Sequence, residues 1–123
     1  MWNNLHDLSY VKMKVIHNCI LPPGKFIAIN LFGIVFVRNR FKKLPEETKR
    51  IILNHEAIHT EQIKEWWYIG FYILYLMNYT YNLLKYKNFY KAYRNTYFEE
   101  EAYNNQDDLD YIKKRIRYNY INH

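Results

Sequence analysis

At 123 residues, half of them hydrophobic, the chain is long enough to close a single core without disulfide or metal staples. Its lone cysteine, Cys19, excludes an internal disulfide framework and suits a reducing compartment. A formal net charge of +6 with a mean hydropathy of -0.50 favours a soluble protein and admits a partner that carries phosphates.

From the N-terminus, Met1 to Asp7 offers neither the basic region nor the apolar run of an export signal, so a cytoplasmic location is expected. Tyr10 to Ile20 and Lys25 to Val37 are rich in β-branched and aromatic residues, with a strong turn, Leu21-Pro22-Pro23-Gly24, between them. Within the second tract, Phe26 to Asn30 and Ile34 to Arg38 flank Leu31-Phe32-Gly33, which reads as a hairpin turn. Two or three strands of a small sheet are expected here. His17 and Cys19 alternate on one strand face; a packed strand cysteine is preferred there over a metal site. His6 and His123 lie near the termini and enter no site.

Leu44-Pro45-Glu46-Glu47 opens a helix, with proline suited to its first position and acids to its first turn. That helix is predicted from Pro45 to Glu65, and it carries His55-Glu56-Ala57-Ile58-His59, an H-E-x-x-H pattern. Residues four apart on a helix have Cβ atoms about 5–6 Å apart. The imidazoles of His55 and His59 can therefore converge on one ion at Zn–N distances of about 2.0–2.1 Å. Glu56 lies about 100° around the helix, placed to reach a water at that ion without ligating it, as a general base does. Ile52, His55, His59 and Ile63 are spaced three, four and four, which turns this face inward.

Trp66 to Met77 is a run of twelve apolar residues, counting tyrosines and Gly70, extended through Asn78, Thr80 and Asn82 to Leu84. It is short of the roughly 20 apolar residues of a spanning helix, so a buried or interfacial helix is expected, with membrane contact as the lesser alternative. Tyr86 to Tyr97 then interleaves cations with aromatics, and Lys113, Lys114, Arg115 and Arg117 stand beside tyrosines near the C-terminus. Such a pattern suits phosphates and bases, although most charge runs are solvated helix faces.

A catalytic zinc usually has three protein ligands, and the best source of a third is Phe98-Glu99-Glu100-Glu101-Ala102-Tyr103. The three glutamates spread around a helix, so Glu99 and Glu101 both stay open. Thr96 with Glu99 also fits a capping box, which would turn Glu99 back onto a backbone N–H.

The run from His55 to Gln62, with Phe-Glu-x-Glu-Ala-Tyr downstream, resembles the gluzincin branch of the zincin metallopeptidases, in particular small bacterial and phage proteins reading H-E-x-x-H-x-x-Q and then F-E-x-E-A-Y. The resemblance implies an α+β fold: one minimal zincin-like domain over residues 1–123, a small N-terminal antiparallel sheet packed on a helical C-terminal region around the H-E-x-x-H helix. Zn2+ as cofactor and His55, His59 and Glu99 as its ligands follow from it, Glu99 because the family places a small residue, here Ala102, three positions after the third ligand. It further implies water-activated hydrolysis of peptide bonds, with Glu56 as the catalytic base and a peptide or protein as substrate. Many gluzincins carry an aspartate where this chain has Tyr103, to orient a ligand histidine. Tyr103, Tyr111 and Arg117 are unranked donors for the developing oxyanion. In zincins the edge strand of the sheet can hold an extended substrate by main-chain pairing. An inert zinc-binding interaction or assembly module is the alternative function, with a basic nucleic-acid-binding protein behind it.

Overall fold

Four strands precede five helices in the computed structural model, which describes residues 5–7, 12–22 and 26–118. The strands are β1 (Leu5–Asp7), β2 (Lys12–Asn18), β3 (Ala28–Leu31) and β4 (Ile34–Arg38), ordered β1-β2-β4-β3 in one sheet. β1 is antiparallel to β2, and β3 to β4, but β2 runs parallel to β4, with Val15 opposite Val35 and His17 opposite Val37. The sheet is thus mixed, which corrects the antiparallel expectation. Residues 19 to 33 make a connection long enough for the crossover a parallel pair needs, and they place β3 outside β4, at the sheet edge. Pro23 and Gly24 of the anticipated turn lie outside the described residues.

The expected hairpin joins β3 to β4 through Phe32 and Gly33, with φ of 57° and 91°, the positive values that a two-residue hairpin loop takes. For Phe32 this costs about 1–2 kcal/mol. Two bonds offset that cost: the Phe32 N–H donates to the Tyr72 hydroxyl at 2.8 Å and the Gly33 N–H to Asn30 Oδ1 at 2.8 Å.

Alternate residues of the paired strands, Met13, Val15, Val35 and Val37, point to one face and meet Phe41, Leu53 and Ala57. Leu53 and Ala57 belong to α1 (Glu46–Glu65), capped by Pro45 and buried without interruption from Leu53 to Thr60. A helix buried all round is a central one. On its other sides α1 packs Ile63 with Phe71 and Phe98, and Ile58 with Ala102 and Tyr111.

α2 (Ile69–Tyr86) follows a turn at Trp66–Tyr68, and only Phe71 and Asn82 in it are buried. Of the two expectations, a buried or an interfacial helix, the first is thereby corrected, because one face of α2 packs inward and the other is open. No helix of the described residues is long and apolar enough to cross a membrane. α3 (Phe89–Arg94), α4 (Tyr97–Asn105) and α5 (Tyr111–Lys114) complete the chain order. Cys19 lies past the end of β2 and is exposed, not packed in the strand. His17 keeps both ring nitrogens enclosed without a hydrogen-bond partner, its ring 6.1 Å from Phe41.

Candidate metal centre

The i, i+4 spacing on α1 brings the His55 and His59 rings edge-to-face with centroids 4.8 Å apart. Facing them is α4, whose start is fixed by Thr96: its hydroxyl accepts the Glu99 N–H at 3.3 Å. The Glu99 carboxylate does not return to the backbone as a capping box would require. Glu99 Oε1 instead lies 3.1 Å from His55 Nε2 and 3.2 Å from His59 Nε2. All three side chains are buried, and their candidate ligand atoms lie within 4.8 Å of one another.

Glu101, the competing glutamate, stands elsewhere. Arg115 donates to it at 2.5 and 3.0 Å, Tyr111 at 2.6 Å and Gln62 at 2.9 Å. Burial works against its charge, but these donors, Arg115 first, hold its carboxyl below the usual range.

The hydrogen bonds behind the histidines decide which nitrogen faces Glu99. Gln62 Nε2 donates to the Phe98 carbonyl at 3.0 Å and to Glu101 Oε1, which leaves Gln62 Oε1, 2.7 Å from His59 Nδ1, as an acceptor. The Nδ1 proton of His59 is therefore donated to Gln62, and the neutral ring presents the Nε2 lone pair inward. Gln106 Oε1 holds His55 Nδ1 in the same way at 2.9 Å. The remaining Glu99 oxygen, Oε2, accepts from the Tyr75 hydroxyl at 2.9 Å. Tyr103, where many gluzincins carry an aspartate, packs its ring edge-on to His55 at 4.5 Å and shares a 2.8 Å bond with the Tyr93 hydroxyl.

Two imidazole lone pairs and a carboxylate oxygen in one buried cluster call for positive charge between them. Burial disfavours a charged imidazole, yet the adjacent Glu99, with Glu56 and the Gln62 bond, raises His59 to about 9. Burial likewise opposes the Glu99 charge, but His59 and His55 hold that carboxyl well below its ordinary range. A divalent cation satisfies the same demand, and N, N, O donors with their back atoms already hydrogen-bonded are what such an ion binds. The two nitrogen-to-oxygen separations, 3.1 and 3.2 Å, approach the edge of about 3.3 Å in a tetrahedron of 2.0–2.1 Å bonds, while the three ligand atoms as a set lie within 4.8 Å. This group can hold a metal ion.

Glu56, next to His55, lines the same cavity, and burial pushes its carboxyl up, the two histidines only partly offsetting the shift. The cavity, about 380 Å³, is walled by β3 on one side and by Phe71, Tyr72 and Tyr75 of α2 on another. Asn30 ties β3 to α1, donating to the Glu56 carbonyl at 2.8 Å and to Thr60 Oγ1 at 2.6 Å. Of the proposed oxyanion donors, Tyr111 is engaged by Glu101, and exposed Arg117 contacts Tyr118. Tyr72, Tyr75, Tyr93 and Gln106 had not been singled out from sequence; no fixed spacing relates them to the histidines.

Compared with protein-family models, curated proteins and solved structures, the chain matches none.

Proposed function

We propose that the chain is a zinc-dependent peptide hydrolase of gluzincin type. The reading is carried by one observation: a single Glu99 oxygen meets the Nε2 atoms of both histidines in a cavity that Glu56 also lines. His55, His59 and Glu99 would hold the ion, and two nitrogens with one oxygen suit zinc among the common divalent metals. Bound there, zinc supplies Lewis acidity that brings the pKa of a water towards about 7 and polarises a carbonyl oxygen.

The side chains supply the rest. Gln62 and Gln106 fix the histidine rings, and Tyr75 fixes Glu99. Glu56, made more basic by burial, accepts a proton from the attacking water and delivers it to the leaving nitrogen as the C–N bond breaks. Tyr93 lines the cavity and keeps its proton, held well above the ordinary tyrosine range by burial and by the Glu99 charge; with the Tyr103 hydroxyl donating to it, that proton is left for a developing oxyanion.

The substrate is an extended segment. By the alternation of an antiparallel pair, Ile29 and Leu31 bond to β4, so the main-chain groups of Ala28 point to the free edge beside the cavity. An added strand uses such an edge.

Purified protein analysed for metal and incubated with an unstructured protein, with and without chelator, tests the reading. Glu56→Gln keeps zinc and loses turnover by about 10²-fold or more; His59→Ala loses zinc. Full zinc occupancy after replacement of both histidines would falsify the site. One zinc per chain without cleavage would make it a zinc-binding interaction module instead.

A further inference from the structure

From Trp66 to Phe98 the chain carries Lys85, Lys87, Lys91 and Arg94 and no acidic residue, and from Ile69 to Leu84 no charged side chain at all. A helix without charge until its last turn would ordinarily be enclosed. α2 is not: Ile73, Leu76, Met77 and Leu84 are 54%, 63%, 63% and 74% exposed, and at spacings of three, one and seven they form one outer stripe. Phe71, Tyr72 and Tyr75 point the opposite way, into the cavity. Aromatic residues mark both ends of the stripe. Trp67 is 87% exposed, held with Tyr68 in a turn at φ of 57° and 66°, and Phe89 and Tyr90 are 73% and 60% exposed beyond the other end.

We propose that the outer face of α2 docks on the surface of an anionic lipid bilayer. The aliphatic stripe enters the boundary between headgroups and acyl chains, Trp67 and Phe89 anchor the two ends, and Lys85, Lys87 and Lys91 meet the anionic headgroups. Charge decides between occupants. A second copy packed on this face would offer no acidic residue between Trp66 and Phe98 to meet Lys85, Lys87 and Lys91, and a nucleic acid would gain little from Ile73, Leu76 and Leu84, which do not stack on bases. With 18 residues, α2 is about 27 Å long, and its inner face belongs to the domain, so it lies in the membrane plane. The cavity is then one helix diameter from the lipid surface.

Full-length protein is mixed with phosphatidylcholine vesicles, with or without phosphatidylglycerol, and binding is read by co-sedimentation and tryptophan emission. The expected result is binding at least about tenfold stronger to the anionic vesicles, weakened by salt, with a blue-shifted emission. The paired substitution Ile73→Glu with Leu76→Glu removes binding by about tenfold or more at unchanged helix content by circular dichroism, and Lys85→Glu with Lys87→Glu removes the preference for phosphatidylglycerol. Absence of binding to either vesicle overturns the proposal, as does wild-type binding by the Ile73 and Leu76 variant. So does retention on an oligonucleotide, or self-association abolished by those substitutions, in protein that ignores vesicles. None of these measurements needs metal or turnover, so their failure leaves the hydrolase reading untouched.

Discussion

Gln62 connects two networks. Its oxygen fixes His59 Nδ1, while its nitrogen is bound to the Phe98 carbonyl and to Glu101, which in turn is gripped by Arg115 and Tyr111. His59 is thus oriented through a neutral amide rather than a carboxylate. A partner without charge fixes the ring but adds less basicity to Nε2. Gln62→Leu should weaken zinc affinity by about 10–100-fold, measured by competition with a chromophoric chelator, because the ring loses its acceptor while both histidines remain. Glu101→Gln should leave affinity within a few-fold and lower stability instead, since Glu101 faces Arg115 rather than the histidines. Unchanged affinity in Gln62→Leu would show that packing alone orients His59.

At the level of elements, the site depends on how closely α4 approaches α1. Ala102 is fully buried against Ile58 and Tyr111, so one methyl group sets the approach that puts Glu99 opposite the histidines. Ala102→Leu adds three carbons where there is no room. It should cost about 1–3 kcal/mol, as overpacking does, seen as a lower urea midpoint, and should reduce zinc affinity by displacing α4. Ala102→Gly should cost about 1 kcal/mol through helix propensity alone and spare affinity; equal zinc affinity in all three proteins would separate the helix contact from the site. These packing facts also explain what could be read beforehand. α1 and its two histidines were legible because the four-residue spacing is itself a geometric requirement. Glu99 and Glu101 were not separable from the residues alone: what claims Glu101 is Arg115, fourteen positions on, and only the folded chain brings them together. β-branched and aromatic enrichment marks the tracts of β2, β3 and β4 but misses the short β1 and says nothing of direction, so the parallel β2–β4 pair stays hidden. Hydropathy leaves α2 as buried or interfacial because it counts apolar residues without knowing which face finds a partner.

At the scale of the molecule, Arg115 fastens the C-terminal segment to the centre. Its guanidinium donates to Glu65 at the end of α1 at 2.6 and 3.1 Å and to Glu101 on α4 at 2.5 and 3.0 Å, with its side chain only 4% exposed. The Tyr118 N–H adds a bond to Glu65 at 2.8 Å. Removing the cation would leave two buried carboxylates facing one another. Arg115→Met should therefore cost about 3–5 kcal/mol at neutral pH, more than the pair itself contributes, because the loss includes the penalty of unpaired buried charge. The pH dependence has a definite sign. In the native protein Arg115 keeps the Glu101 carboxyl below its ordinary value of 4.5, so the stabilisation is complete above that value and is lost as pH falls through the lowered one. In Arg115→Met nothing comparable holds the proton off, and burial favours the neutral acid. Acidification then relieves the variant while it weakens the native protein. Urea midpoints should accordingly converge between pH 7 and about pH 4; a gap constant across that range would mean that Arg115 acts by packing its aliphatic stem rather than by its charge.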